Sequence, residues 1–196
     1  MLNKVMAQTI SDQKKRMHPH KFTMWVAIGS ILMMFAGLTS AYIVKRSQAG
    51  WIMLEIPVVF WYSTIAILLS SLMIHLSLKS LRQRDMKAYR NWLVLTAVFG
   101  VLFLVLQVIG FKAFGEMDIR LVGAGSNASH SFLLAISGLH GLHVLGGVIA
   151  LVVMAIRAVL TSTRNYNTVP LEVVSTYWHF VDLLWIYLFI FFNWMR

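Results

Sequence analysis

The 196-residue chain has no cysteine, three prolines and seven acidic residues. Without cysteine, disulfides, iron–sulfur clusters and thiolate metal ligands are excluded, and the compartment is left open. Charge of either sign is scarce: Asp, Glu, Lys and Arg make up 12% of the residues, against roughly one quarter in a soluble domain. Apolar residues fill the space, at 59% hydrophobic with a mean hydropathy of +0.73. A polytopic membrane protein is the direct reading. Met1 to Lys21 has no apolar core and no small-residue cleavage site, so no signal peptide is expected. The loops are too short for a soluble domain, and no internal repeat is apparent. The net charge of +10 invites a nucleic-acid partner. The basic residues, however, sit in short loops between apolar runs, where topology signalling and anionic lipid explain them and nucleic acid is not needed.

Five apolar runs meet the roughly 20-residue requirement for crossing a bilayer: Phe22–Val44, Ile56–Leu78, Asn91–Phe111, Ser131–Ile156 and Val173–Met195. The expected architecture is all-α, a bundle of five transmembrane helices over residues 22–196 behind a basic segment, 1–21. Twelve of the 17 Lys and Arg fall in the N-terminal segment and in the second and fourth loops. That bias predicts a cytoplasmic N-terminus and an external C-terminus. Trp25, Trp61, Trp92 and Trp194 fall near span ends, as an interfacial belt requires. Gly37 with Ala41, and Gly146 with Ala150, have the four-residue spacing of close helix contacts.

The polar residues inside the spans are few. Gln107 is the only strongly polar residue in the middle of the first three, and His75 lies near enough to an end to snorkel. The fourth run carries Gly138-Leu139-His140-Gly141-Leu142-His143-Val144-Leu145-Gly146-Gly147, and the last carries Tyr177-Trp178-His179-Phe180-Val181-Asp182. His140 and His143 are one turn apart, as are His179 and Asp182. At about 1.5 Å rise per residue, His143 and Asp182 both come near mid-membrane on adjacent antiparallel helices. Three readings fit this pattern. One is a metal or haem site, for which His and carboxylate are standard ligands. The second is a proton or ion relay, as in transporters, though no mid-span helix is Pro-broken. The third is a structural hydrogen-bonded network of His140, His143, His179 and Asp182, with Gly138, Gly141, Gly146 and Gly147 letting helices approach.

The fourth run, from Ser131-Phe132 through Gly147, closely resembles the subunit III signature of haem-copper terminal oxidases. The last, Ser175-Thr176-Tyr177-Trp178-His179-Phe180-Val181-Asp182 to Ile186, resembles that family's other hallmark. The first run, Lys21-Phe22-Thr23-Met24-Trp25 with Phe35-Ala36-Gly37-Leu38 and Ala41-Tyr42-Ile43-Val44, is similar to the first helix of the short, five-helix bacterial form. The resemblance implies an accessory subunit with no catalytic residue, haem or metal of its own. Haems and copper would lie on partner subunits of a complex that reduces dioxygen and pumps protons. Subunit I would be the direct partner, with subunit II, membrane lipid and a respiratory supercomplex beyond it, in the bacterial inner (plasma) membrane. Bound phospholipid and support of proton uptake are implied too. A cytochrome c oxidase is the first reading, and a quinol oxidase or nitric oxide reductase the alternative. A secondary transporter or proton channel is the rival from another class. Two family glutamates are missing: Ile31 follows Gly29-Ser30 where one is common, and Gly110 follows Gln107 by three where another is. Nothing assigned to those carboxylates carries over, and Asp182 is left as the one deep acid.

Overall fold

Chain segments with no polar break longer than a turn should become single helices, and five do. The computed structural model describes residues 19–47, 57–116, 128–160 and 167–195. It contains α1 (Pro19–Arg46), α2 (Val59–Arg82), α3 (Met86–Glu116), α4 (Ala128–Leu160) and α5 (Val169–Trp194). All five are long and apolar enough to cross a membrane. The basic segment before residue 19 and the loop residues Asp118 and Arg120 lie outside the described residues.

The helices overrun the expected spans because polar residues at their ends still favour helix. Asp85 starts α3 five residues ahead of the apolar run, its Oδ1 accepting from the backbone N–H of Lys87 and Ala88 at 3.1 Å each. Arg84, at φ 63°, supplies the left-handed step that turns α2 back into α3. At the other extreme α2 begins late, at Val59, after a turn closed by Phe60 N–H donating to the Pro57 carbonyl.

Helices α2 and α3 form the most extensive pair, and the reason is a seam with seven-residue spacing. On α2, Phe60, Ile67, Ile74 and Leu81 alternate with Ser63, Ser70 and Ser77, and all seven are buried. On α3 the buried positions Tyr89, Thr96, Phe103 and Gly110 alternate with Leu93, Gly100 and Gln107. Serine and glycine at every second contact bring the backbones close, so side chains reach across. Ser77 Oγ donates to the Tyr89 carbonyl (3.2 Å), Ser70 Oγ to the Thr96 carbonyl (3.2 Å) and Gln107 Nε2 to Ser63 Oγ (3.1 Å).

Around this pair α2, α3, α4 and α5 form a ring, with α5 packing on both α4 and α2. Helix α1 lies outside the ring against α4 and α5, and makes no backbone approach to α2 or α3. Thr39 and Tyr42 hold its last two turns. The Tyr187 hydroxyl donates to Thr39 Oγ1 at 3.1 Å, and Tyr42 packs edge-on against Phe132, Phe191 and Phe192.

Candidate functional site

Helix α5 carries the densest set of buried groups, and adjacent residues on it point about 100° apart. This geometry decides what each side chain of the Tyr177–Asp182 island can meet. Trp178, fully buried, drives its ring between α2, α3 and α4. Its Nε1 donates to Ser70 Oγ at 3.0 Å, and its ring atoms lie 3.0 Å from where a Cβ would sit on Gly100 and on Gly147. Two turns later Trp185 points the same way. Its Nε1 donates to Thr64 Oγ1 at 3.0 Å, and its ring stacks on His140 with centroids 5.3 Å apart.

His179 and Asp182 turn away from α4, toward α2. His179 Nδ1 and Ser71 Oγ are hydrogen-bonded at 2.6 Å. Asp182 is 2% exposed and has the Ser71 side chain beside it, yet neither carboxyl oxygen makes a hydrogen bond. On α4, His140 is 1% exposed and also lacks a hydrogen-bond partner at either nitrogen. Rings enclose it instead: Trp185 on its face, Phe35 of α1 and Phe103 of α3 edge-on. His143 Nδ1 bonds to the Leu139 carbonyl of its own helix at 2.7 Å, and its own carbonyl accepts from the Tyr177 hydroxyl at 3.0 Å.

The four polar residues expected to share one network are therefore divided. His179 and Asp182 share Ser71 of α2, while His140 and His143 sit among aromatic rings. The single bond between the two islands, Tyr177 to the backbone of His143, uses neither histidine ring. Among the described residues no group of three His, Cys, Asp or Glu is placed to hold a metal ion.

The glycines also differ from expectation. Of those expected to pack, Gly147 meets Trp178, whereas Gly37, Gly138, Gly141 and Gly146 have open space where a Cβ would be. Gly37 and Gly146 are exposed, whereas Gly138 and Gly141 are half-buried beside a cavity of about 310 Å³ lined by Leu104, Gln107 and Phe111 of α3, so helical spacing identified a stripe but not its neighbour. Ala41 is half-buried. Two close-contact glycines on α3 escaped the sequence reading. Gly100 meets Trp178, and Gly110 leaves 2.8 Å between a Cβ and the Phe60 ring. Phe60 thus occupies the space that a side chain at Gly110 would need.

At the end of the bundle rich in Lys and Arg, Glu172 on α5 accepts from Lys21 of α1 at 2.6 Å and from Arg82 of α2 at 3.1 Å. Behind these ion pairs lies a cavity of about 430 Å³ between α1, α2 and α5, lined by His75, Ser175, Thr176 and His179 among others.

A sequence model of the family described as cytochrome c oxidase subunit III matches residues 17–196. A protein of Mycobacterium leprae named probable cytochrome c oxidase subunit 3 is 33% identical over 173 residues, covering 84% of this chain and 82% of the relative. The Nocardia farcinica protein of the same name is 31% identical over 191 residues, 89% of this chain and 90% of the relative. A probable quinol oxidase subunit 3 of Staphylococcus saprophyticus is 25% identical over 189 residues, 93% of this chain and 92% of the relative.

Proposed function

The chain belongs to the cytochrome c oxidase subunit III family, and from that premise we propose that it is the accessory subunit of a cytochrome c oxidase, packed on subunit I. An oxidase subunit III works in a complex with other oxidase subunits, and this one is a multi-pass membrane protein. In the proposed role it carries no redox centre. Haems and copper lie on partner subunits, and this chain contributes stability, supports proton uptake and holds phospholipid. The membrane is the bacterial plasma membrane, with the basic end in the cytoplasm.

The observation that carries this reading is the extent of the family match, which takes in all five helices. Gly37 and Gly146, both exposed with open space at the Cβ position, add support. Small residues on a membrane-facing surface favour a neighbouring helix, because they permit close approach. Cytochrome c is preferred over quinol as electron donor because the Mycobacterium leprae and Nocardia farcinica relatives, at 33% and 31% identity, carry the cytochrome c oxidase name, against 25% for the quinol oxidase relative.

Purification in mild detergent tests the proposal. The chain should co-purify with a haem- and copper-bearing subunit, and the separated chain should show no haem absorbance and no stoichiometric copper or iron. A metal that stays on the separated chain overturns it. So does recovery of the chain alone with ion-driven flux in vesicles, which favours a transporter.

A further inference from the structure

The first turns of α1 are built differently from the rest of the helix. Of the side chains from Lys21 to Ser30, Ile28 alone is buried, whereas Phe35, Thr39 and Tyr42 beyond them sit in the core. This stretch does not rest on α2, and Lys21, Met24 and Trp25 stand over the cavity of about 430 Å³ instead of filling it. Among the described residues its one ionic tie is Lys21 to Glu172, and Glu172 in turn holds Arg82 across the gap on α2. The boundary between the loose and packed parts falls at Gly29-Ser30. Nothing lies within 4 Å of a Cβ on Gly29, and Ser30 Oγ donates back to the Val26 carbonyl at 3.0 Å. Gly/Ser pairs and serine back-bonding are recognised causes of helix bending.

We propose that residues 21–28 of α1 form an arm that pivots at Gly29-Ser30, latched over the α1–α2–α5 cavity by the Lys21–Glu172–Arg82 triad. Releasing the latch lets the arm swing outward and opens the cavity as far as His179, whose ring bonds to Ser71 beside the buried Asp182. The groups facing the Glu172 carboxylate are Lys21 from α1, Arg82 from α2 and Thr168 on its own helix, with His75 and His179 farther into the cavity. Neutralising Glu172, by acid or by substitution, removes the charge both cations share. An arm eight residues long is about 12 Å, and a kink of about 20° moves its tip by roughly 4 Å.

The absence of native cysteine makes the test direct. Spin labels at Phe22→Cys and Lys79→Cys, both exposed, report the arm against α2. A second pair, Val44→Cys and Trp61→Cys, reports the packed half. In the full chain in lipid nanodiscs, Glu172→Gln should lengthen and broaden the first distance by about 4 Å and leave the second unchanged. Lys21→Met, which keeps the Glu172–Arg82 pair, should do the same, as should acidifying the unsubstituted background. Amide exchange over residues 21–28 should quicken in both variants. A first distance that stays fixed while either variant retains its second distance overturns the proposal, as does equal movement of both pairs.

Discussion

The indole of Trp178 lies so close to Gly147 that a methyl group there would meet its Cε3 and Cζ3 at 3.0 Å. A methyl group on Gly100 would meet Cη2 of the same ring at 3.0 Å. One side chain of α5 thus sets how near α3 and α4 come to it, and the three helices are fitted around a single aromatic wedge.

Gly147→Ala and Gly100→Ala should each destabilise the chain, because the methyl has nowhere to go and Trp178 is held by its bond to Ser70. Overpacking of this kind costs about 1–3 kcal/mol. Gly138→Ala, with open space at its Cβ, should leave the isolated chain within about 0.5 kcal/mol of the parent. Thermal unfolding in detergent, followed by tryptophan fluorescence, compares the three. Equal losses at Gly147 and Gly138 would refute the wedge.

Much of this arrangement could be read beforehand, and the part that could not has a physical reason. Hydropathy is a property of each segment alone, so five helices were legible. Which faces meet depends on rotation about each helix axis, and the apolar outer faces of a membrane protein hide that signal. The glycines near His140 drew attention through their motif, yet a Cβ on Gly138, Gly141 or Gly146 would touch nothing. A signal for the hidden faces was present in the seven-residue repeat of Ser63, Ser70 and Ser77, matched by Leu93, Gly100 and Gln107 on α3. Small or polar residues recurring every seventh position mark a buried face in a helix whose other faces are Leu, Val and Ile.

Within that repeat Ser70 has more to lose than Ser77. It accepts from Trp178 Nε1 and donates to the Thr96 carbonyl, whereas Ser77 makes one bond, to the Tyr89 carbonyl. Ser70→Ala strands a buried indole N–H and should cost about 1–3 kcal/mol, against about 0.5–1.5 for Ser77→Ala. Retention of the subunit during purification gives a second readout in the same order. The reverse order would mean that Trp178 finds another acceptor.

Phe60 and Gly110 offer a test of coupling. With 2.8 Å between a Cβ at Gly110 and the ring, Gly110→Ala should destabilise by about 1–3 kcal/mol. Adding Phe60→Leu should recover part of that loss, since the smaller side chain vacates the contact. A double-mutant cycle should give an interaction energy of roughly 0.5–3 kcal/mol. Strict additivity would show that the ring moves aside freely, and the close fit would then not explain why glycine suits this position.

Asp182 and His140 are both buried without a hydrogen bond, and their surroundings predict which readout each substitution should move. Asp182→Asn keeps the shape and places an amide beside Ser71, so the chain should fold. Its effect should appear in subunit retention more than in the intrinsic oxygen reduction of whatever complex assembles, because the carboxyl lies beside Ser71 where α5 meets α2. His140 lies among Phe35, Phe103 and Trp185, and its nitrogens give the fold no bond. Replacing an unsatisfied buried polar group by an apolar one of similar shape is nearly neutral or stabilising. His140→Phe should therefore melt within about 1 kcal/mol of the parent or above it, the slightly larger ring setting the penalty. His179→Phe, which breaks the 2.6 Å bond to Ser71, should lose about 1–3 kcal/mol. A collapse of His140→Phe matching that of His179→Phe would return His140 to a hydrogen-bonded network with the last helix.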